Sequence, residues 1–117
     1  MKIAIVGGRN FKDYRSMKTA LELFFEENDV SCSSVISGGA RGADTLAEKF
    51  AEENSFEMIV FKPDYEKFGR AATLQRNTQI IEDADAVFAF WNGLSRGTHD
   101  SIKKAEKMGK KLIIINY

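Results

Sequence analysis

Two glycine-rich segments hold the residues whose types and spacing suit chemistry on an anion. The first is Ser37-Gly38-Gly39-Ala40-Arg41-Gly42-Ala43-Asp44. The second is Trp91-Asn92-Gly93-Leu94-Ser95-Arg96-Gly97-Thr98. Small residues let backbone N–H groups approach a phosphate, and a helix that starts just after them adds the partial positive charge of its N-terminus. Each segment also carries an arginine, whose planar fork suits phosphate or carboxylate. The same two segments permit a plainer reading as ordinary strand-to-helix turns, which need glycine anyway. The coincidence of Gly with Arg favours the anion site.

Other motifs in these stretches do not hold up. Gly93-Leu94-Ser95-Arg96-Gly97 has the spacing of a nucleophile elbow. The lone histidine, His99, follows only four residues after Ser95, with no acid between them, so the triad order fails. No G-x-x-x-x-G-K-[ST] occurs, and the first strand ends in Gly7-Gly8-Arg9-Asn10 rather than G-x-G-x-x-G. Cys32 is the only cysteine, so neither a disulfide framework nor a Cys-rich zinc site exists. No residue nearby in sequence would lower its pKa, and it reads as inert. No cofactor or metal is expected.

The elements that must position these residues alternate along the chain. Lys2–Val6, Val35–Ile36, Glu57–Phe61, Ala86–Phe90 and Lys111–Ile115 read as strands. Met17, Ala20, Leu21, Phe24 and Phe25 mark one face of a first helix, and Ala43, Leu46, Ala47, Phe50 and Ala51 one face of a second. A third is expected from about Gly69 to Glu82 with Leu74, Thr78 and Ile81 inward. A fourth runs from about Thr98 to Met108, with Gly109 just past its end. Five strands alternating with four helices predict a three-layer α/β domain spanning residues 1–117: an open, Rossmann-like parallel sheet in order 3-2-1-4-5, helices on both faces. Ligands of such sheets bind beyond the strands' carboxyl ends, where the order reverses between strands 1 and 4. All six arginines (Arg9, Arg15, Arg41, Arg70, Arg76 and Arg96) lie between a strand end and the first half of the next helix.

Composition bounds the function class. The 44% hydrophobic and 29% charged content belongs to a globular protein. No apolar run approaches a bilayer's thickness, and the start of the chain lacks the full apolar region of a signal peptide, so a cytoplasmic protein without membrane contact is expected. Seventeen Lys and Arg balance seventeen Asp and Glu, which gives no whole-molecule attraction to nucleic acid; no nucleic-acid partner is expected.

Four motifs together resemble the SLOG superfamily of Rossmann-like nucleotide-ligand proteins, and within it the small YspA/YpsA-related branch. They are Gly8-Arg9-Asn10-Phe11-Lys12-Asp13, Gly38–Asp44, Pro63-Asp64-Tyr65…Gly69…Arg76-Asn77, and Gly97-Thr98-His99-Asp100. The resemblance covers nearly the whole chain. Tyr65 stands where Trp is usual, and Thr73 where a Gly commonly precedes Arg-Asn. The superfamily includes the LOG phosphoribohydrolases, for which the resemblance implies cleavage of a nucleotide's N-glycosidic bond by an Arg and a Glu. Their Glu aligns with Ser101 here, leaving Asp100 as the nearest carboxylate and Arg76 as its partner: these are the candidate catalytic residues. The expected ligand is a nucleotide-derived small molecule, such as a nucleotide or an ADP-ribose-like compound. Gly8, Arg9, Ser37, Gly38, Gly39, Arg41, Gly42, Asp44, Asn77, Trp91, Gly93, Ser95, Arg96, Gly97 and Thr98 are the expected binding residues, with Trp91 or Tyr65 stacking on a base. A homo-oligomer is expected because relatives commonly assemble.

Overall fold

A computed structural model describes residues 1–117. Strands β1 (Lys2–Gly7), β2 (Ser34–Ser37), β3 (Glu57–Val60), β4 (Ala86–Trp91) and β5 (Lys111–Asn116) form one parallel sheet in the order β3-β2-β1-β4-β5. This is the expected topology. Alternate residues feed two separate cores. Ile3 and Ile5 of β1 with Phe88 and Phe90 of β4 meet helices α1 (Tyr14–Asn28) and α2 (Ala43–Glu53) through Met17, Leu21, Phe24, Ala47 and Phe50. Ala4 and Val6 with Val87 and Ala89 meet α4 (Ala72–Asp83) and α5 (Arg96–Lys107) through Ile80, Ile81, Ile102 and Ala105 on the opposite face. The unbroken apolar run of β4 is thus explained: Ala86–Phe90 is wholly buried, because both faces of a central parallel strand are covered.

Helix starts follow capping chemistry. Asp13 accepts the Ser16 N–H at 3.0 Å to begin α1, and Ser95 accepts the Thr98 N–H at 3.3 Å to begin α5 two residues earlier than its periodicity suggests. The third predicted helix starts later than expected: Gly69–Ala71 is a 3₁₀ turn and α4 follows it, while an unexpected single turn α3 (Tyr65–Phe68), capped by Asp64, precedes both. Gly69 sits at φ +55°, which breaks the helix where the sequence places its start. Of the residues expected inward on α4, Ile81 is buried, Thr78 is half-buried and Leu74 is 47% exposed; the face that α4 buries is Ala72, Asn77, Ile80 and Ile81. Gly109 follows α5 at φ +67° as expected, with the Lys110 N–H bonding the Ala105 carbonyl. No helix is long and apolar enough to cross a membrane.

Candidate functional site

The chain leaves β1 towards one face of the sheet and β4 towards the other, so the ends of these neighbours part and open a cavity of about 550 Å³. Its walls are the β1–α1 turn (Gly8, Arg9, Asn10), the β2–α2 loop (Gly38, Ala40, Asp44), the first half of α4 and the start of α5. Gly42 makes the first two walls meet. At φ +75°, it lets the Ala43 N–H bond the Gly8 carbonyl at 3.2 Å, where a Cβ would strike the backbone of Gly8 and Arg9.

Three guanidinium groups line the cavity, from Arg9, Arg76 and Arg96. Arg76 is half-buried and fixed: Nη1 donates to the Gly38 carbonyl at 2.8 Å and Nε donates to Asn77 Oδ1 at 3.1 Å. The orientation of the Asn77 amide follows from its neighbours, because Arg76 can only donate and a carboxylate only accept. Asn77 Nδ2 therefore faces Asp100 Oδ2 at 3.1 Å and the Gly97 carbonyl at 3.4 Å. Asp100 Oδ2 is held in turn by Lys104 Nζ at 2.8 Å, which also donates to the Leu74 carbonyl at 2.6 Å. A chain of contacts, Lys104–Asp100–Asn77–Arg76–Gly38, thus ties α5, α4 and the β2–α2 loop together. Arg9 and Arg96 are exposed and form no ion pair, leaving their forks available.

The single carboxylate lining the cavity is Asp44, 8% exposed. Burial raises its pKa; the N–H groups of Ala40 and Gly38 and the Arg76 charge oppose that rise. Its Oδ2 accepts the Ala40 N–H at 3.0 Å, so the side chain bends back into the loop that precedes it. The β4–α5 loop does likewise: Asn92 Oδ1 accepts from the N–H groups of Leu94 and Ser95 at 2.8 and 3.0 Å. The two loops were expected to offer their backbone donors to a ligand. Instead the N–H groups of Gly39, Ala40, Leu94 and Ser95 serve the protein's own side chains, which leaves the arginines and the first N–H groups of α5 as the prominent donors at the cavity.

Of the expected residues, Gly8, Arg9, Gly38, Asp44, Arg76, Asn77, Ser95, Arg96, Gly97 and Thr98 converge on the cavity. Seven do not. Arg41 is exposed and is not among the lining residues. Ser37 is fully buried, its hydroxyl accepting the Gly39 N–H at 3.4 Å, so it and Gly39 shape the turn; Gly42 spaces the walls, and Gly93 is a turn residue at φ +83°. Trp91 anchors its loop, donating through Nε1 to the Ser95 carbonyl at 3.0 Å and stacking on the His99 ring at 5.3 Å. Asp100, the candidate catalytic acid, lies outside the cavity lining in an ion pair with Lys104. Its neighbour Ser101 faces the cavity instead. Asn10, Thr73 and Ser101 were missed; Thr73 and Ser101 lie three or four helical positions from Arg76 and Gly97, a spacing that places them on the same face. Cys32 is buried, and burial pushes its thiol pKa up, in keeping with an inert residue.

The fold is that of a Rossmann-like protein, with the candidate site at the sheet's reversal point. Residues 1–68 match the YspA, cpYpsA-related SLOG family, and the chain belongs to that family. It is similar to the Gene 61 protein of Mycobacterium phage D29, at 30% identity over 122 residues, covering 99% of this chain and 95% of that one. Among solved structures it is similar to DNA processing protein A from Helicobacter pylori, with TM-score 0.74 and 21% identity, across 100% of this chain and 66% of that one. The Streptococcus pneumoniae DNA processing protein A aligns with TM-score 0.77 and 19% identity, across 99% of this chain and 50% of that one. The chain therefore spans at most about two thirds of those two proteins.

The Helicobacter pylori protein has a single-stranded DNA binding mode, which overturns the expectation that nucleic acid is excluded as a partner here. Net charge hides an uneven distribution. Ten of the seventeen Lys and Arg, but only five of the seventeen Asp and Glu, lie between a strand's end and the fifth residue of the main helix that follows. The carboxyl end of the sheet thus carries a surplus of five positive charges and the rest of the chain an equal negative surplus. A molecule neutral overall presents a basic end, and local potential, not the total, steers an anion.

Proposed function

We propose that the cavity binds a nucleotide or an ADP-ribose-like phosphorylated ligand, and that the protein acts as a sensor or ligand-binding module. The observation that carries this reading is the convergence of Arg9, Arg76 and Arg96 on one cavity at the reversal point, with Asp44 as the sole carboxylate among its lining residues. Guanidinium forks engage phosphate oxygens in two-point contacts, and the N–H groups of Arg96 and Gly97 at the start of α5 point the helix's positive end at the same ligand. Asp44 accepts sugar hydroxyl protons. Charge-assisted bonds of about 1.5–3 kcal/mol each bring such a ligand into the micromolar range without any turnover.

Calorimetric titration of the protein with AMP, ADP-ribose and a short single-stranded DNA tests the reading. Micromolar binding of at least one of the two small ligands, lost in the Arg76→Ala/Arg96→Ala double variant, is expected. If neither small ligand binds and the oligonucleotide alone does, in a way the double variant leaves untouched, the cavity is not the site.

A further inference from the structure

The two edges of the sheet are built differently. β3 is the shorter, opening on the exposed Glu57 and followed by Lys62 and Pro63. Exposed charge and proline are common means of keeping an edge strand from pairing. β5 is longer, and between Lys111 and Asn116 it reads Leu112-Ile113-Ile114-Ile115, with no charge or proline. These side chains are half-buried except Ile114, which is 41% exposed. Lys111, the residue placed to guard this edge, is turned towards α1. Its Nζ donates to Asn28 Oδ1 at 3.0 Å and lies 5.3 Å from the centre of the Phe24 ring.

β5 hydrogen-bonds on one side only, to β4. The Tyr117 N–H reaches the Trp91 carbonyl at 3.2 Å, and backbone groups alternate in direction along a strand, so those of Ile113 and Ile115 also face β4. The N–H and C=O groups of Leu112, Ile114 and Asn116 therefore point off the sheet. Side chains alternate as well: Ile113 and Ile115 pack with the core of α1 and α2, and Leu112 with that of α4 and α5.

We infer that the β5 edge is the contact surface for a second copy of this chain, which pairs antiparallel about a two-fold axis at Ile114 and joins two five-stranded sheets into one. The strand's own pattern selects this occupant. In that register Ile114 exchanges both its hydrogen bonds with its counterpart, and Leu112 exchanges both with Asn116, so the off-sheet groups of all these residues are used. Ile113 lies opposite Ile115 in both halves of the contact, a β-branched pair of the kind that stabilises sheets. Charge agrees with the direction. Lys111 falls opposite the neutral Tyr117, whereas a parallel neighbour in the same register sets lysine against lysine.

Sedimentation equilibrium of the 117-residue chain, from micromolar to near-millimolar concentration, tests the pairing. The wild type should approach twice 13.1 kDa as concentration rises. Ile114→Lys and Ile114→Glu each set like charges against each other on the axis, with Cβ atoms about 5 Å apart, and each should stay monomeric with wild-type circular dichroism. Mixed in equal amounts the two should dimerise again, because a contact centred on Ile114 sets one charge against the other. Asn116→Pro removes only an N–H that points off the sheet; it spares the β4 ladder and should weaken the dimer about tenfold or more even if the charged variants fail to fold. A wild type that stays monomeric overturns the inference, as does a dimer that survives Ile114→Lys or is unchanged by Asn116→Pro. An equimolar mixture of folded charged variants that stays monomeric does the same. So do species that keep growing beyond a dimer, the mark of β5 adding to β3 of the next copy.

Discussion

Replacing Gly38 with alanine separates what Arg76 does for a ligand from what it does for the fold. Gly38 is not at a positive φ, so alanine brings no backbone strain. Alanine also narrows the unfolded ensemble, a gain of about 0.4–1 kcal/mol. The added Cβ arrives 2.8 Å from Arg76 Cζ and 3.1 Å from its Cδ, and closer still to Nη1. These atoms are the far end of a flexible side chain, so the guanidinium swings away and the backbone stays. The bond lost is Nη1 to the Gly38 carbonyl, worth about 1 kcal/mol at a half-exposed site. The two effects nearly cancel, and Tm should move by no more than about 5 °C.

Affinity should respond very differently. Moving the guanidinium removes one charge-assisted contact to phosphate, about 1.5–3 kcal/mol, or roughly a 10- to 150-fold weaker Kd. Titration of wild-type, Gly38→Ala and Arg76→Ala protein with AMP, alongside thermal melts of all three, gives both numbers. Gly38→Ala should approach Arg76→Ala in affinity while melting near wild type. A Gly38→Ala protein that binds AMP as tightly as wild type would refute the assignment of Arg76 to phosphate.

Asp44→Asn tests the buried carboxylate. Its folded pKa is raised above the unfolded value of 3.8, so the folded state holds the extra proton between the two; wild-type stability should fall, relative to Asp44→Asn, as pH climbs through that window and then level off. A stability difference that does not vary with pH in denaturant titrations would count against the shift. Gly42→Ala forces a side chain to φ +75° and drives a Cβ to 2.5 Å from the Arg9 backbone, which should cost about 3 kcal/mol or more; a melt within 5 °C of wild type would show that the walls need not meet there. Asp100→Ala leaves the Asn77 amide with only the distant Gly97 carbonyl and should lower AMP affinity three- to tenfold (about 0.7–1.4 kcal/mol) through Arg76, whereas unchanged affinity would show that Asp100 does not position the site.

The strand order and the edge that holds the site were legible because both follow from residue type. β-rich runs ended by glycine alternate with helical periodicity, and right-handed crossovers leave few ways to assemble them. Direction of side chains was less legible. Adjacent helical residues point about 100° apart, so nothing in the sequence says whether Asp100 or Ser101 faces inward; packing of α5 on α4 decides for Ser101. Leu74 was read as core on its hydrophobicity, yet α4 buries the polar Asn77 because that amide has partners on both sides. Glycines announced the two loops, but not that Asp44 and Asn92 fold back and occupy the N–H groups of Ala40, Leu94 and Ser95 beside them. Contacts of that kind depend on tertiary closure, and a one-dimensional pattern carries only their ingredients.

The placement of the carboxylates bears on whether binding is followed by chemistry. Cleavage at an anomeric carbon needs a carboxylate beside the bond, free to take charge or a proton as the transition state forms. Asp100 is not among the lining residues, and its Oδ2 is already shared between Lys104 and Asn77 where α5 packs on α4, so it is poorly placed to supply it. Asp44 is inside, but it braces the loop through Ala40, and burial works against its charged form, which weakens it as a nucleophile. The arginines, in contrast, enter no direct ion pair: Arg76 is held by a carbonyl and an amide oxygen, both neutral, and meets the charge of Asp44 only through space. Cations held out of ion pairs, beside acids that already brace the fold, favour the proposed phosphate binding over turnover, and that is why the ligand titrations above, ahead of any assay of turnover, are the decisive measurements.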